Sequence, residues 1–297
     1  MKSGFVAVAG RANAGKSTLI NVLVGEKVSI VSPKPQTTRD RILGVYNSPD
    51  AQIAFIDTPG LYSSKNFLNA VIQKTASDSV KDVDVILFLI DAHDGLNEKD
   101  LETVKTFCKI NENTVIVLTK TDITQESLLI SVIKDLAEIC DKIVPISARK
   151  GKNLKELMKV VLSLLPEGDK IFEEDIISDK SQKFMIAEIM REKILLKCER
   201  EIPHGVAVLI NKFEYDEKRK LYDINLDVVC EKQNHKAILI GKQGSKIKEI
   251  SSFARADMEK FLDAKVFLTT YVKVEEDWRN SQRFIKQHGY LGEDFFS

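Results

Sequence analysis

The stretch that decides the fold is "GFVAVAGRANAGKSTLIN", residues 4–21. Its first seven residues are apolar and partly β-branched. The next segment, Gly10 to Thr18, contains G-x-x-x-x-G-K-[ST] as Gly10 to Ser17 and opens a helical run. A strand that turns through a glycine-rich loop into a helix N-terminus directs backbone N–H groups at a phosphate, and the helix dipole adds to the attraction. Gly10, Asn13, Ala14, Gly15, Lys16, Ser17 and Thr18 are the expected cradle. Lys16 can reach the β- and γ-phosphates, and the Ser17 hydroxyl can ligate Mg²⁺. A glycine-rich turn into an ordinary helix is the alternative for the pattern taken alone.

Three further segments follow in order. Asp57 ends an apolar strand in "DTPG" (57–60), where a carboxylate can hold Mg²⁺ through its water and Gly60 can offer its N–H to a γ-phosphate. "TKTD" (119–122) follows another buried strand. Asp122 can accept two hydrogen bonds from guanine, while Thr119 and Lys120 border the base. Adenine would leave that carboxylate unpaired. "SAR" (Ser147, Ala148, Arg149) ends the next strand and brings the Ala148 N–H toward guanine O6. Together the four segments predict a guanine-nucleotide site.

The surrounding pattern agrees. Up to about residue 165, the β-rich runs "GFVAVAG", "AQIAFIDT", "DVILFLID", "NTVIVLTK" and "KIVPIS" alternate with helical stretches. This predicts an α/β P-loop domain with a mostly parallel sheet covered on both faces. The first helix is expected inside "GKSTLINVLVGE" with Gly25 as its stop. "PEGDKIFEEDIISDK" mixes Pro, Gly and acidic residues and reads as a linker or wrap. Beyond it, the order α-β-β-α-α-β, with the hairpin "GVAVLINKFEYD"–"KLYDINLDVVCEK", predicts a separate α+β domain. The expected division is 1–170 and 171–297.

With 297 residues, 43% hydrophobic and 30% charged, the chain can fill two cores. No apolar run approaches the ~20 residues that span a bilayer, and the N-terminus does not read as a signal peptide. Cys108, Cys140, Cys198 and Cys230 lie far apart with no C-x-x-C pair, and are expected as reduced thiols in a cytoplasmic protein. The formal net charge is zero, so contact with nucleic acid must come from local clustering.

One such cluster exists. "ILIGKQGSKIKEI" carries a G-x-x-G loop, Gly241-Lys242-Gln243-Gly244, which can approach a single-stranded backbone closely. From 232 to 248 there are five lysines, including Lys242, Lys246 and Lys248, and no acidic residue. Residues 171–297 as a whole carry 22 Lys and Arg against 23 Asp and Glu. Ile240 and Ile247 are expected either to flank a base-binding groove or to lie in the core. A solvated helix face is the bland alternative for the lysines.

Taken together, "GRANAGKSTLIN", "PKPQTTRDRILG", "IDTPGL", "TKTD", "SAR", "EREIPHGVAV" and "AILIGKQGSKIKEI" resemble the Era family almost end to end. These are bacterial ribosome-assembly GTPases of the translation-factor-related class with a C-terminal KH domain. The resemblance implies a type II KH fold, GTP and GDP as ligands, the 3′ end of 16S ribosomal RNA and the 30S subunit as partners, and a monomer. A peripheral contact at the inner face of the membrane is kept as a further expectation. Ala12 and Gln243 depart from the family pattern, which usually has Pro at the first position and often Gly at the second.

The residue after "DTPG" is Leu61, where many GTPases have a water-orienting Gln. Two substitutes are visible. Asn13 can coordinate K⁺ beside the β–γ bridge, or else merely stabilise its loop. Thr38 can supply a second Mg²⁺ ligand, with Thr37 as the fallback and backbone groups facing the water. Simple burial of Leu61, with slow hydrolysis until a partner orders the site, is the other reading. The expected catalytic set is Lys16, Thr38, Gly60 and Asn13, with weak intrinsic turnover. A switch in membrane or cell-cycle control that uses the KH domain for protein binding remains the alternative function. An RNA-modifying enzyme lacks a metal cluster in the second half, since His93, His204, His235 and His288 are scattered.

Overall fold

The computed structural model describes residues 1–35, 37–60, 67–80, 82–199 and 202–288, with only the backbone of Ala76. Leu61 lies outside them, so the expectations about its side chain are carried no further. Cα proximity divides the chain into two compact units. The first is Met1–Val31, Thr38–Ser63 and Ile72–Asp179; the second is Ser32–Thr37, Ser64–Val71 and Lys180–Ser297.

The first unit is built on a six-stranded sheet. Its strands are β1 (Lys2–Gly10), β2 (Ile42–Ser48), β3 (Ala51–Asp57), β4 (Val85–Asp91), β5 (Thr114–Thr119) and β6 (Ile143–Pro145), in the order β2-β3-β1-β4-β5-β6. All neighbours run parallel except β2, which pairs antiparallel with β3. The helices are α1 (Lys16–Val24), α2 (Phe67–Asp78), α3 (Glu98–Ile110), α4 (Glu126–Ala137) and α5 (Leu154–Leu164). Side chains on a strand alternate between faces, and "VILFLI" in β4 shows the consequence. Val85, Leu87 and Leu89 enter the core under α1 and α5. Ile86, Phe88 and Ile90 enter the core under α3 and α4. A strand buried on both faces reads as a continuous apolar run.

Strand β2 was not among the expected strands. It lies at the sheet edge and its outward groups are covered by the linker. The Val45 N–H donates to the Ile177 carbonyl, and the Leu43 N–H to Asp179 Oδ1. Gln52, fully buried, accepts from the N–H groups of Ile171 (2.6 Å) and Phe172 (2.8 Å) and donates to the Phe172 carbonyl (2.9 Å). Phe172 meets Phe5 edge-on at 6.4 Å. The acidic stretch is therefore a wrap, and it moves the expected boundary at 170 to Asp179. Covering an edge strand in this way also blocks pairing with another chain.

The second unit has a three-stranded sheet in the order β7-β8-β9, with β7 (Ala207–Asp216) antiparallel and β9 (Lys265–Val274) parallel to the central β8 (Leu221–Cys230). One face, through Ile224, Leu226, Val228 and Cys230, packs on α6 (Gln182–Lys197), α7 (Gln233–Ile240) and α8 (Ser245–Leu262). A short helix α9 (Gln282–Gln287) follows the buried Trp278, whose indole donates to the Gly205 carbonyl at 3.0 Å. The order α-β-β-α-α-β is the expected one. The four cysteines are free thiols, three buried and Cys108 half-buried.

Helix α6 buries more than its apolar stripe. Glu188, Arg191 and Glu192 are also buried, and Arg191 is ion-paired with Glu188 through two of its nitrogens. Arg191 also donates to the Thr37 carbonyl, and the Lys34 ammonium to the Cys198 carbonyl, both within the second unit. These charge-assisted bonds join Ser32–Thr37 to that unit.

Replacing Gln52 by Leu removes three hydrogen bonds between a fully buried side chain and the wrap. A loss of about 2–3 kcal/mol is expected, read as a lower denaturant midpoint. Proteolytic cleavage within 168–179 should become faster. Unchanged cleavage would remove Gln52 as the clasp of the linker.

Candidate nucleotide and RNA sites

The "GRANAGKST" loop closes because two backbone positions lie in the left-handed region. Gly15 has φ 92° and forms the N-cap of α1; Asn13 has φ 63°. Asn can occupy that region at modest cost. Gly25, with φ 85°, ends the helix as expected, and its N–H donates to the Asn21 carbonyl. Ala14 is buried, Asn13 exposed, Ser17 and Thr18 half-buried. Gly10 sits against the Leu89 carbonyl, where a side chain would collide. Arg11 donates to Asp100 at 2.8 Å, and Asp100 also closes the Asn97 capping box of α3. This tether of the loop to α3 was not foreseen; N-x-x-D signals the capping box alone.

Lys16 is folded into the loop. Its ammonium donates to the carbonyls of Gly10 (3.0 Å) and Arg11 (2.8 Å), and only 6% of the residue is exposed. Burial lowers its pKa to about 8, against the attraction of Asp57. Desolvation disfavours the charged form of a lysine.

Three oxygens from three separate segments converge beside it. Ser17 Oγ lies 2.7 Å from Asp57 Oδ2 and 3.0 Å from Thr38 Oγ1, and Thr38 Oγ1 lies 3.4 Å from Asp57 Oδ2. Asp57 is fully buried, and its other oxygen, Oδ1, takes no hydrogen bond. Burial pushes the Asp57 carboxyl up, against the Ser17 hydrogen bond and the Lys16 charge. A buried, half-satisfied carboxylate beside two hydroxyls is an oxygen donor set suited to a hard divalent cation. Among the described residues, no group of three or more His, Cys, Asp or Glu side chains could hold a metal, so this mixed set is the candidate centre. Thr38, rather than the fallback Thr37, is in it. The Thr37 hydroxyl instead donates to the Lys34 carbonyl at 2.6 Å.

Gly60 backs onto the loop. A Cβ there would lie 3.1 Å from the Ala12 N and Cα, so any side chain would make the loop give by a few tenths of an ångström. Thr58 fixes that approach through Val8, its hydroxyl donating to the strand carbonyl at 2.9 Å.

The residues expected to recognise the base are also gathered. The Thr119 hydroxyl donates to the Ala14 carbonyl at 2.9 Å, joining "TKTD" to the phosphate loop. The exposed Asp122 accepts from the Ser147 hydroxyl at 2.6 Å. That bond, first among several causes, holds its carboxyl below the ordinary value. An ionised acceptor is therefore presented at the rim. Lys120, at φ 58°, is ion-paired with Asp91. Ala148 packs against the core, and Arg149 stays exposed on the "SAR" turn.

In the second unit, Gly241 (φ 72°) and Gly244 (φ 77°) bracket an exposed Lys242 and Gln243. A Cβ on Gly241 would lie 2.6 Å from Lys246 Cβ, which requires glycine there. Gln243 adopts φ 51°, the left-handed conformation that explains why glycine suits the position; the strain is about 1 kcal/mol. Lys248 is exposed. Lys246 is half-buried and 3.9 Å from Glu249. Ile240 is half-buried. Ile247 leans against the core, while Leu239 and Ile250 lie fully inside it. Ile238, 53% exposed, is an apolar side chain on α7 that the sequence did not single out.

Phosphates that engage Lys16 will keep it protonated, whereas in the free protein it loses its proton near pH 8. Binding then takes up a proton above that pH, and affinity falls as pH rises. A dissociation constant for magnesium–GDP about tenfold higher at pH 9 than at pH 7 is expected. Calorimetry in buffers of different ionisation enthalpy should show uptake approaching one proton. Absence of uptake would remove Lys16 from the phosphates.

Comparison with known proteins bears on both units. A family model described as a 50S ribosome-binding GTPase matches residues 5–120, and one described as a KH domain matches 201–279. GTPase Era of Clostridium kluyveri is 45% identical over 292 residues, covering 98% of this chain and 99% of the relative. Its counterpart from Alkaliphilus metalliredigens is 43% identical over 291 residues, covering 97% and 99%. Two crystal structures superpose with a TM-score of 0.94, each covering 98% of this chain and 100% of the other. One is a single-residue variant of Aquifex aeolicus Era bound to GDP·AlF4⁻, at 40% identity. The other is Era in complex with MgGDPNP and nucleotides 1506–1542 of 16S ribosomal RNA, at 41%. By sequence along its whole length and by the fold of both units, the chain belongs to the Era family of GTPases.

Proposed function

We propose that this GTPase binds small-subunit ribosomal RNA near its 3′ end and uses GTP hydrolysis to time its part in 30S assembly and rRNA maturation. The observation that carries the reading is the pairing, in one chain, of a converged phosphate cradle with a glycine-bracketed, lysine-bearing loop. The Era structure that holds both MgGDPNP and 16S nucleotides aligns across both features.

The chemistry follows from the cradle. Lys16 would exchange the Gly10 and Arg11 carbonyls for phosphate oxygens. Ser17 and Thr38 would hold Mg²⁺ directly and Asp57 through water; the ion would neutralise charge on the β- and γ-phosphates. The Gly60 N–H would face the γ-phosphate. Asp122, kept ionised by Ser147, would accept from the guanine N1–H and amine, with the Ala148 N–H at O6. No side-chain general base is proposed. The water would be oriented by backbone groups around Thr37, Thr38 and Gly60, and turnover would be slow. Asn13, exposed on the loop in a left-handed conformation, would coordinate a K⁺ ion that offsets charge near the β–γ bridge.

Lys242, Lys246 and Lys248 would supply salt-dependent affinity for RNA, and the half-buried Ile240 and Ile247 beside the loop would contribute the sequence preference. The element that both sites can bias is the segment leading to Thr38. Ser32–Thr37 belongs with the second unit, through Arg191 and Lys34. The very next residue, Thr38, has its hydroxyl on Ser17 in the first. Coupling needs such a shared two-state element.

Crosslinking in cells tests the whole reading. Wild type should recover the 3′ region of 16S rRNA, and Lys16→Ala should lose most of it, because the nucleotide state is lost. Recovery of proteins without RNA would overturn it in favour of a protein-binding switch. Hydrolysis should also run severalfold faster in KCl than in NaCl. Equal rates would remove Asn13 as a cation ligand.

A further inference from the structure

Asp91 belongs to none of the four nucleotide-binding segments, yet it anchors one of them. It ends β4 in register with Thr119 on β5, and its side chain is 10% exposed. Oδ2 holds the Lys120 ammonium, and Oδ1 accepts from the His93 N–H at 3.1 Å. The His93 ring lies 3.0 Å from the Ile123 carbonyl, which joins the loop after β4 to the loop after β5. At its other end, Lys120 is fixed by its backbone. Its carbonyl accepts from the Thr124 hydroxyl (2.8 Å) and the Ile123 N–H (3.1 Å), with φ at 58°.

A lysine held at both ends presents its four methylenes as a straight apolar strip. Held only by its backbone, it samples many rotamers, and ordering it against a ligand costs entropy. An exposed ion pair contributes little. This one differs because the carboxylate is mostly buried, takes two donors and restrains a residue in a conformation that lysine rarely adopts.

We propose that Asp91 is a positioning residue for guanine-nucleotide binding: it draws out the Lys120 stem as the surface along which the purine ring lies. The inference rests on the assignment of Lys120 and Asp122 to the base pocket. Asp91 touches no nucleotide; it acts through Lys120.

Asp91→Asn preserves shape and the acceptor for His93 but releases the ammonium. Dissociation constants for GDP and a non-hydrolysable GTP analogue should rise about tenfold, as the loss of one charge-assisted bond implies. The rise should come chiefly from faster release. Turnover at saturating GTP should stay within twofold of wild type, so KM moves and kcat does not. Asp91→Glu should restore affinity to within about threefold, since the charge returns. In a Lys120→Met background, Asp91→Asn should have no further effect, because the coupled partner is gone. Wild-type affinity in Asp91→Asn, or the same tenfold loss without Lys120, would overturn the proposal. Asp122→Asn serves as the arm for the pocket itself, expected to shift preference from guanosine toward xanthosine nucleotides. If it leaves base choice unchanged, the pocket assignment fails; if it shifts choice while Asp91→Asn is silent, only the role of Asp91 fails.

Discussion

The nucleotide-binding unit depends on burying a lysine and an aspartate side by side without fully satisfying either. Lys16 is held by two carbonyls and Asp57 by two hydroxyls, and one carboxylate oxygen is left with no hydrogen bond. A buried charge whose partners do not fully offset its desolvation is costly. The protein tolerates it because the sheet leaves little alternative. Asp57 is the last residue of a strand buried along its whole length, and Lys16 is the first of a helix whose N-cap is a left-handed glycine. Both lie at the carboxyl ends of parallel strands, the edge where open α/β sheets bind ligands. Phosphates and a divalent cation would relieve both charges together, which makes their binding favourable and mutually dependent.

Around this centre, polar contacts serve to fix loops to strands. Thr58 is bonded to Val8, Thr119 to Ala14, Ser147 to Asp122 and Arg11 to Asp100. Each joins one segment of the candidate nucleotide site to another element, so these segments cannot shift independently. Preorganised donors need little rearrangement when the ligand arrives. Asp91 extends the same logic by one residue, since Lys120 gains a fixed direction only from a carboxylate that the recognition pattern does not contain.

The second unit uses different means for a comparable end. Its helices fill one face of a three-stranded sheet, and the glycine loop between α7 and α8 is narrow because Gly241 is pressed against Lys246. The five lysines of 232–248 stand in a unit whose main stretch, Lys180–Ser297, carries 22 Lys and Arg against 19 Asp and Glu. Their effect is local, within roughly a Debye length of about 8–10 Å. Arg191 shows the opposite disposition of charge. It is buried on α6 beside Glu188 and directed at the carbonyl of Thr37. A buried ion pair of this kind contributes less to stability than to fixing one arrangement of the chain.

The sequence by itself determined the class of fold and the segments expected to meet phosphate and base. Those signals are local: a glycine where the backbone turns left-handed, a carboxylate at the end of an apolar strand, a period of two or of 3.6 residues. Ser17 and Asp57 were legible for that reason, as were the hairpin of β7 and β8 and the G-x-x-G loop. Only the tertiary structure decided what depends on residues distant in sequence. Strand β2 escaped notice because an edge strand pairs on one side and carries a weak pattern. The wrap of 171–179 depended on Gln52, about 120 positions earlier. The choice of Thr38 over Thr37 depended on Ser17 and Asp57. The pairings of Asp91 with Lys120, of Arg11 with Asp100 and of Arg191 with Thr37 leave no periodic trace, because a single contact between two side chains, or between a side chain and a carbonyl, imposes no spacing on the chain between them.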